Sequence, residues 1–263
     1  MALSPGILGF AEADGTVVGF MSCNIGAVQN ILYFDPVYGL RDEVVTGKTD
    51  GDVINPQSQF WRRGPYIVES NISVPGSILF DRARDGKAFT LKAQFTCSGS
   101  GVASSGTRVE SYTLSMNAGD MVNTSVNMKG TSTYSLSTPL TGPAYTCSST
   151  TNVSGTIRTW QDVSITSPDL DYEDIASATL TINNALVPIY TEAGLYAIRV
   201  GIQRIEGQIA FYGDPTTYTT YSGIDLNIDG RSVKAVFEYP RYEGSARPYI
   251  VTLPFKGIDC ALP

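Results

Sequence analysis

Residues Ser177 to Asp214 read SATLTINNALVPIYTEAGLYAIRVGIQRIEGQIAFYGD, and this stretch decides the fold. Its opening alternates strictly. Ala178, Leu180 and Ile182 share one face of a strand, and Ser177, Thr179, Thr181 and Asn183 share the other. Asn183-Asn184 then breaks the pattern, because Asn tolerates the left-handed backbone of a turn or bulge. A second strand, Arg199 to Phe211, sets Ile205, Ile209 and Phe211 against Glu206, Gln208 and Ala210. The loop between the two carries Pro188 and Gly194.

The same texture extends along the chain. Strand-like segments are predicted at Thr16–Met21, Tyr66–Val74, Ser77–Phe80, Phe89–Thr96, Val109–Met116, Met121–Lys129, Gly155–Ile165, Ala176–Asn183, Val200–Tyr212, Ile224–Asp229, Ser232–Tyr239 and Tyr249–Phe255. Val109–Met116 and Met121–Lys129 read as a hairpin closed by Asn117-Ala118-Gly119-Asp120, with Gly119 available for positive φ. Tyr112, Leu114 and Met116 then oppose Val122, Val126 and Met128 on its apolar face. Helix is scarce: Asp81–Leu91 holds a short one limited by Gly86, and Tyr172–Ser177 is a second candidate. Val68–Phe80 and Gln203–Tyr212 echo each other as segments ending G-x-I-x-F.

Composition excludes several functions. At 263 residues the chain buries a sizeable core as one all-β unit. Its net charge of −7 argues against phosphate binding through basic clusters. No apolar run approaches the roughly 18 residues that span a membrane, and MALSPGILGFAEADG lacks the basic and apolar regions of a signal peptide. Histidine is absent, which removes Ser-His-Asp and Cys-His catalysis and His-ligated zinc. An enzyme is not expected, and no cofactor or metal is.

Cys23, Cys97, Cys147 and Cys260 form no CxxC pair, so zinc and thioredoxin-like sites are disfavoured. Free thiols and disulfides, within or between subunits, both fit this spacing. Asp169, Asp171, Glu173 and Asp174 lack the Gly and the distal Glu of a calcium loop, so a solvated loop is the expectation. The sequons at Asn71, Asn123 and Asn152 read as coincidence in an Asn/Ser/Thr-rich chain. The scatter of fifteen tyrosines, with Trp61 and Trp160, favours core and interface packing over a sugar-binding surface.

The order strand, Asn-Asn, "P-Y", loop, strand resembles the core of phage tail tube proteins. There the first strand reads like "TLTINNNLEPVY" and the second ends in "GSI(T/A)F". GTRVESYTLSMNAGDMVNTSVNMKG is similar to the family's "V-S-L-S…G-G-V…G" hairpin, and VPGSILF precedes it in the same order. The likeness covers roughly Val68 to Phe255. It implies a β-sandwich or partly rolled antiparallel barrel with one short helix packed outside, six copies closing a ring, four inner strands per copy, and rings stacking into a tube. Twenty-four strands at about 4.8 Å give a circumference near 115 Å, about 37 Å across. Partners would be the chain itself and other tail proteins (baseplate, terminator, tape measure), in a virion assembled in the host cytoplasm. DNA would pass through without specific binding, and no membrane would be involved.

In such a tube the bore should repel phosphate. The polar faces of the inner strands are the candidate lining: Glu69, Asn71 and Ser73; Ser111, Thr113 and Ser115; Asn123, Ser125 and Asn127; Glu206 and Gln208. Residues 24–65 match nothing in that pattern and are expected to form an extended inter-subunit loop or arm within the single 1–263 domain. Ile31, Leu32, Tyr33 and Phe34 would make the inter-ring contact. The competing readings are a hub, tube-initiator or terminator ring of the same fold, and a secreted carbohydrate-binding β-sandwich.

Overall fold

The computed structural model describes residues 9–13, 15–20, 22–34, 53–54, 60–75, 79–95, 101–138, 140, 165–166, 175–191, 194–212, 224–228, 231–243 and 250–257. In chain order the strands are β1 (Gly9–Ala13), β2 (Thr16–Phe20), β3 (Ser22–Phe34), β4 (Val53–Ile54), β5 (Phe60–Pro75), β6 (Phe89–Gln94), β7 (Gly101–Asn117), β8 (Asn123–Gly130) and β9 (Ser132–Ser135). They continue as β10 (Ile165–Thr166), β11 (Ile175–Asn183), β12 (Val187–Thr191), β13 (Gly194–Arg199), β14 (Arg204–Tyr212), β15 (Ile224–Ile228), β16 (Arg231–Phe237), β17 (Arg241–Glu243) and β18 (Ile250–Gly257). Among the described residues there is one helix, α1 (Phe80–Asp85).

The fold is all-β and antiparallel. One sheet has the order β2-β1-β6-β7-β9, and a larger one runs β10-β15-β16-β18-β14-β11-β7-β8-β5-β3. β7 belongs to both. Its first half pairs with β6 and β9, and its second half with β8 and β11. The bend falls at Gly106, whose φ of +58° suits glycine. Thr107 Oγ1 closes this corner by donating to Ser104 O at 2.9 Å, and the Thr131 N–H donates to Ser105 O at 2.9 Å.

The period-two reading of the core holds. Leu180, Ile182, Ile205, Ile209, Phe211, Leu114 and Val126 are all buried in one cluster, joined from the smaller sheet by Phe20 and Leu91. The predicted hairpin forms, with Tyr112, Leu114, Met116, Val122, Val126 and Met128 buried and Gly119 at φ +82°. Ala210 departs from the alternation: it is buried on the side assigned to polar residues. α1 ends where Gly86 takes the left-handed C-cap at φ +61°, with its N–H donating to Arg82 O. Phe80 and Ala83 of α1 lie in the core.

Other expectations change. Residues 175–177, read as the end of a second helix, begin β11, because their carbonyl and amide groups pair across the sheet with β14 and the β7 turn. Phe80, read as the end of a strand, opens α1 after Leu79 turns left-handed at φ +69°. The two G-x-I-x-F segments therefore differ in structure, since the second continues as β14 through Phe211. Of the predicted 155–165 strand only Ile165 is described, in β10. β3 was not anticipated. It pairs with β5 from Ser22↔Ser73 to Phe34↔Phe60, so residues 24–34 lie in a long hairpin strand. Cys97, Cys147, Cys260, the acidic 169–174 stretch and Asn152 fall outside the described residues.

Two local consequences are measurable. Gly207 lies opposite Phe255, and a Cβ there would overlap both that ring and the Thr179 carbonyl oxygen. The glycine of the GQIAF motif thus leaves room for an aromatic from the next strand. Gly207→Ala is expected to lower unfolding free energy by about 1–3 kcal/mol in urea titration. Cys23 packs partly against the core, and burial pushes its thiol up to about 12 from 9.0. The folded state then holds this proton more tightly than the unfolded one. This contribution to stability is present below pH 9 and lost as pH rises toward 12. At pH 8 native Cys23 should resist iodoacetamide and react on unfolding in urea, read by peptide mapping.

Candidate functional site

The larger sheet buries one face and presents the other. Registers carry the polar side chains of that outer face across six strands in straight rows. One row is Ser73, Ser125, Thr113, Thr181, Glu206 and Lys256, from β5 through β8, β7, β11 and β14 to β18. A second is Asn71, Asn127, Ser111, Asn183 and Arg204. A third is Asn123, Ser115, Thr179, Gln208 and Pro254. Glu69 stands one step outside the second row, opposite Lys129. All eleven side chains singled out in the sequence as polar partners of the core therefore meet on a single surface.

Several side chains of this surface hydrogen-bond to one another. Asn71 Nδ2 donates to Asn127 Oδ1 at 2.5 Å, and Asn127 Nδ2 donates to Ser111 Oγ at 2.8 Å. Ser73 Oγ donates to Asn123 Oδ1 at 3.0 Å, and Ser115 Oγ to Asn123 O at 3.3 Å. Such cross-strand pairs stabilise the sheet and use amide and hydroxyl donors that would otherwise be open to a passing ligand. Of the two sequon asparagines here, Asn71 donates through Nδ2 and Asn123 accepts through Oδ1.

The charged groups divide into pairs and singles. Lys129 Nζ lies 2.5 Å from Glu110 Oε1, and Lys256 Nζ 2.7 Å from Glu238 Oε1. The Lys256 hydrogen bond and charge hold the Glu238 carboxyl below the usual carboxylate range, and the same contact raises the Lys256 ammonium. Glu69 and Glu206 are exposed and form no ion pair among the described residues. Arg204 stands exposed at the margin of this face, and Arg241, also exposed, lies near Glu206, Gln208 and Lys256.

Thr179 and Thr181 also lie on this face, because β11 pairs between β7 and β14, a placement that nothing local in the sequence shows. Lys256 and Pro254 were missed for the same reason: β18 joins through long-range pairing alone. The backbone of Ile31, Leu32, Tyr33 and Phe34 pairs with Arg63 to Phe60; their side chains lie outside the described residues. Among the described residues no three His, Cys, Asp or Glu side chains group as a metal site, and no helix is long and apolar enough to cross a membrane.

A family model described as "Phage tail tube protein" matches residues 2–255. No curated protein matches the chain.

Proposed function

The chain belongs to the phage tail tube protein family, and from that membership we propose that it is the repeating subunit of the tube itself. As a member of the family it is a structural virion component that assembles with itself and with other tail proteins. In the proposed assembly six copies close a ring, rings stack, and the polar face of the larger sheet lines the bore through which DNA leaves. The chain acts without catalysis. Its contacts extend to baseplate, terminator and tape-measure proteins, and assembly takes place in the host cytoplasm.

The observation that carries this reading is the largely polar surface opposite the core, which spans six strands and is interrupted by Pro254 and the buried Ala210. A wall that conducts DNA must not hold phosphate. Several of its hydroxyls and amides are bonded to one another, and Glu69 and Glu206 place two carboxylates on this face in each copy. Lys129 and Lys256 are neutralised by adjacent glutamates. Closure into a ring also removes exposed strand edges, which otherwise invite aggregation. The 24–65 arm, with Ile31, Leu32, Tyr33 and Phe34, reaches the adjacent ring in this scheme.

Negative-stain microscopy of the purified chain tests the reading. Long tubes of uniform diameter are expected. Isolated rings that never stack would identify a hub, initiator or terminator component, and a persistent monomer would remove the assembly role.

A further inference from the structure

The polar face of the larger sheet is not uniform. From β5 to β11 its outward side chains are mainly Asn, Ser and Thr, whereas charges gather where β14, β18 and β17 meet. An open hollow at this corner is lined by Thr179, Thr181, Gln208, Arg241 and Lys256. Pairing brings them together, since Gln208 lies opposite Pro254 and Arg241 opposite Thr252 on the two sides of β18. Guanidinium, ammonium, amide and hydroxyl groups in one hollow are the donors that hold a phosphate.

Two carboxylates, Glu206 and Glu238, line the same hollow and balance the two cations. Glu238 is the more closely engaged. Its Oε1 lies 2.7 Å from Lys256 Nζ. Its N–H donates to Pro254 O at 2.8 Å, which carries the β16–β18 pairing past Phe237↔Phe255 and fixes the residue beside β18. The Lys256 hydrogen bond and charge hold the Glu238 carboxyl low, and the Arg241 charge adds to this, so Glu238 acts on both cations. We infer that Glu238 masks a latent phosphate site, keeping Lys256 and Arg241 from holding the DNA backbone as it passes. This inference rests on the tube reading above. With an amide in place of that carboxylate, two cations would face Glu206 alone. In a tube the unmasked site would repeat along the DNA, so that weak contacts act together.

The isosteric variant Glu238→Gln tests it. An exposed ion pair adds little to stability, so the fold should survive, as checked by thermal melting. Inorganic phosphate titrated into dissociated subunits at low salt is followed through the amide NMR signals of Thr179, Thr181 and Gln208. The variant should bind several-fold more tightly than the wild type, and binding should weaken as salt rises. Adding Lys256→Gln should abolish the gain, and Glu238→Asp should restore the mask. In reconstituted particles Glu238→Gln should slow DNA ejection at low salt. Equal phosphate binding by variant and wild type, or ejection at the wild-type rate from a variant that does bind phosphate, would overturn the inference and leave the tube reading intact. A wild-type chain that makes no tubes overturns the tube reading and with it the role of Glu238 in DNA passage.

Discussion

Tubes built from the Glu69→Lys, Glu206→Lys variant should assemble normally and deliver DNA slowly or not at all at low salt. Each substitution changes the charge by two, so the net charge of a six-copy ring shifts by +24 as 12 ammonium groups replace 12 carboxylates. Both residues are exposed on the outer face of the larger sheet, opposite the buried Val68, Ile72, Ile205 and Ile209. Their replacement therefore leaves the core untouched. New ammonium groups along the bore would each pair with a phosphate and release counterions, so affinity should fall steeply as salt rises. Ejection of DNA from reconstituted particles, timed at low and high salt, reads the effect. Delivery at the wild-type rate in low salt would falsify the bore assignment of these glutamates.

Phe211→Ala should cost about 3–5 kcal/mol of folding free energy, against a total of about 5–15 kcal/mol for a domain. Phe211 is 1% exposed. Its position near the end of β14, paired with Val251 of β18, places it between strands whose pairing depends on distant sequence. Removal leaves a cavity that rigid sheets close poorly. Leu180→Ala, 0% exposed in β11, should follow in the range of about 2–5 kcal/mol. Guanidinium unfolding of dissociated subunits measures both. A loss below about 1 kcal/mol at Phe211 would show that its side chain is not held in the core.

The strand phase of the 177–214 segment was legible because one face of β11 and β14 is buried along the whole strand, which imposes period two on the residues. The β7–β8 turn was legible through Gly119, and the end of α1 through Gly86. β3 was not. Cys23 and Ile25 pack against the core, but the adjacent Ala27 and Val28 are both exposed, so burial imposes no alternation there. Asn183-Asn184 was read as a turn, and Asn183 does accept the Ala185 N–H at 3.0 Å with Ala185 at φ +41°. Asn184 instead tethers α1 and β7 through carbonyls far away in the chain. The outer-face residues could be sorted from the core by parity. Their joining into rows depends on which strands are neighbours, a non-local property that no short segment encodes.

The most direct test of the tube assignment is a cryo-electron microscopy reconstruction of the purified, assembled chain. Stacked sixfold rings are expected, with an inner wall formed by strands of the larger sheet and with Glu69 and Glu206 facing the bore. A reconstruction that places both carboxylates on the outer wall, or in a contact between subunits, would contradict it.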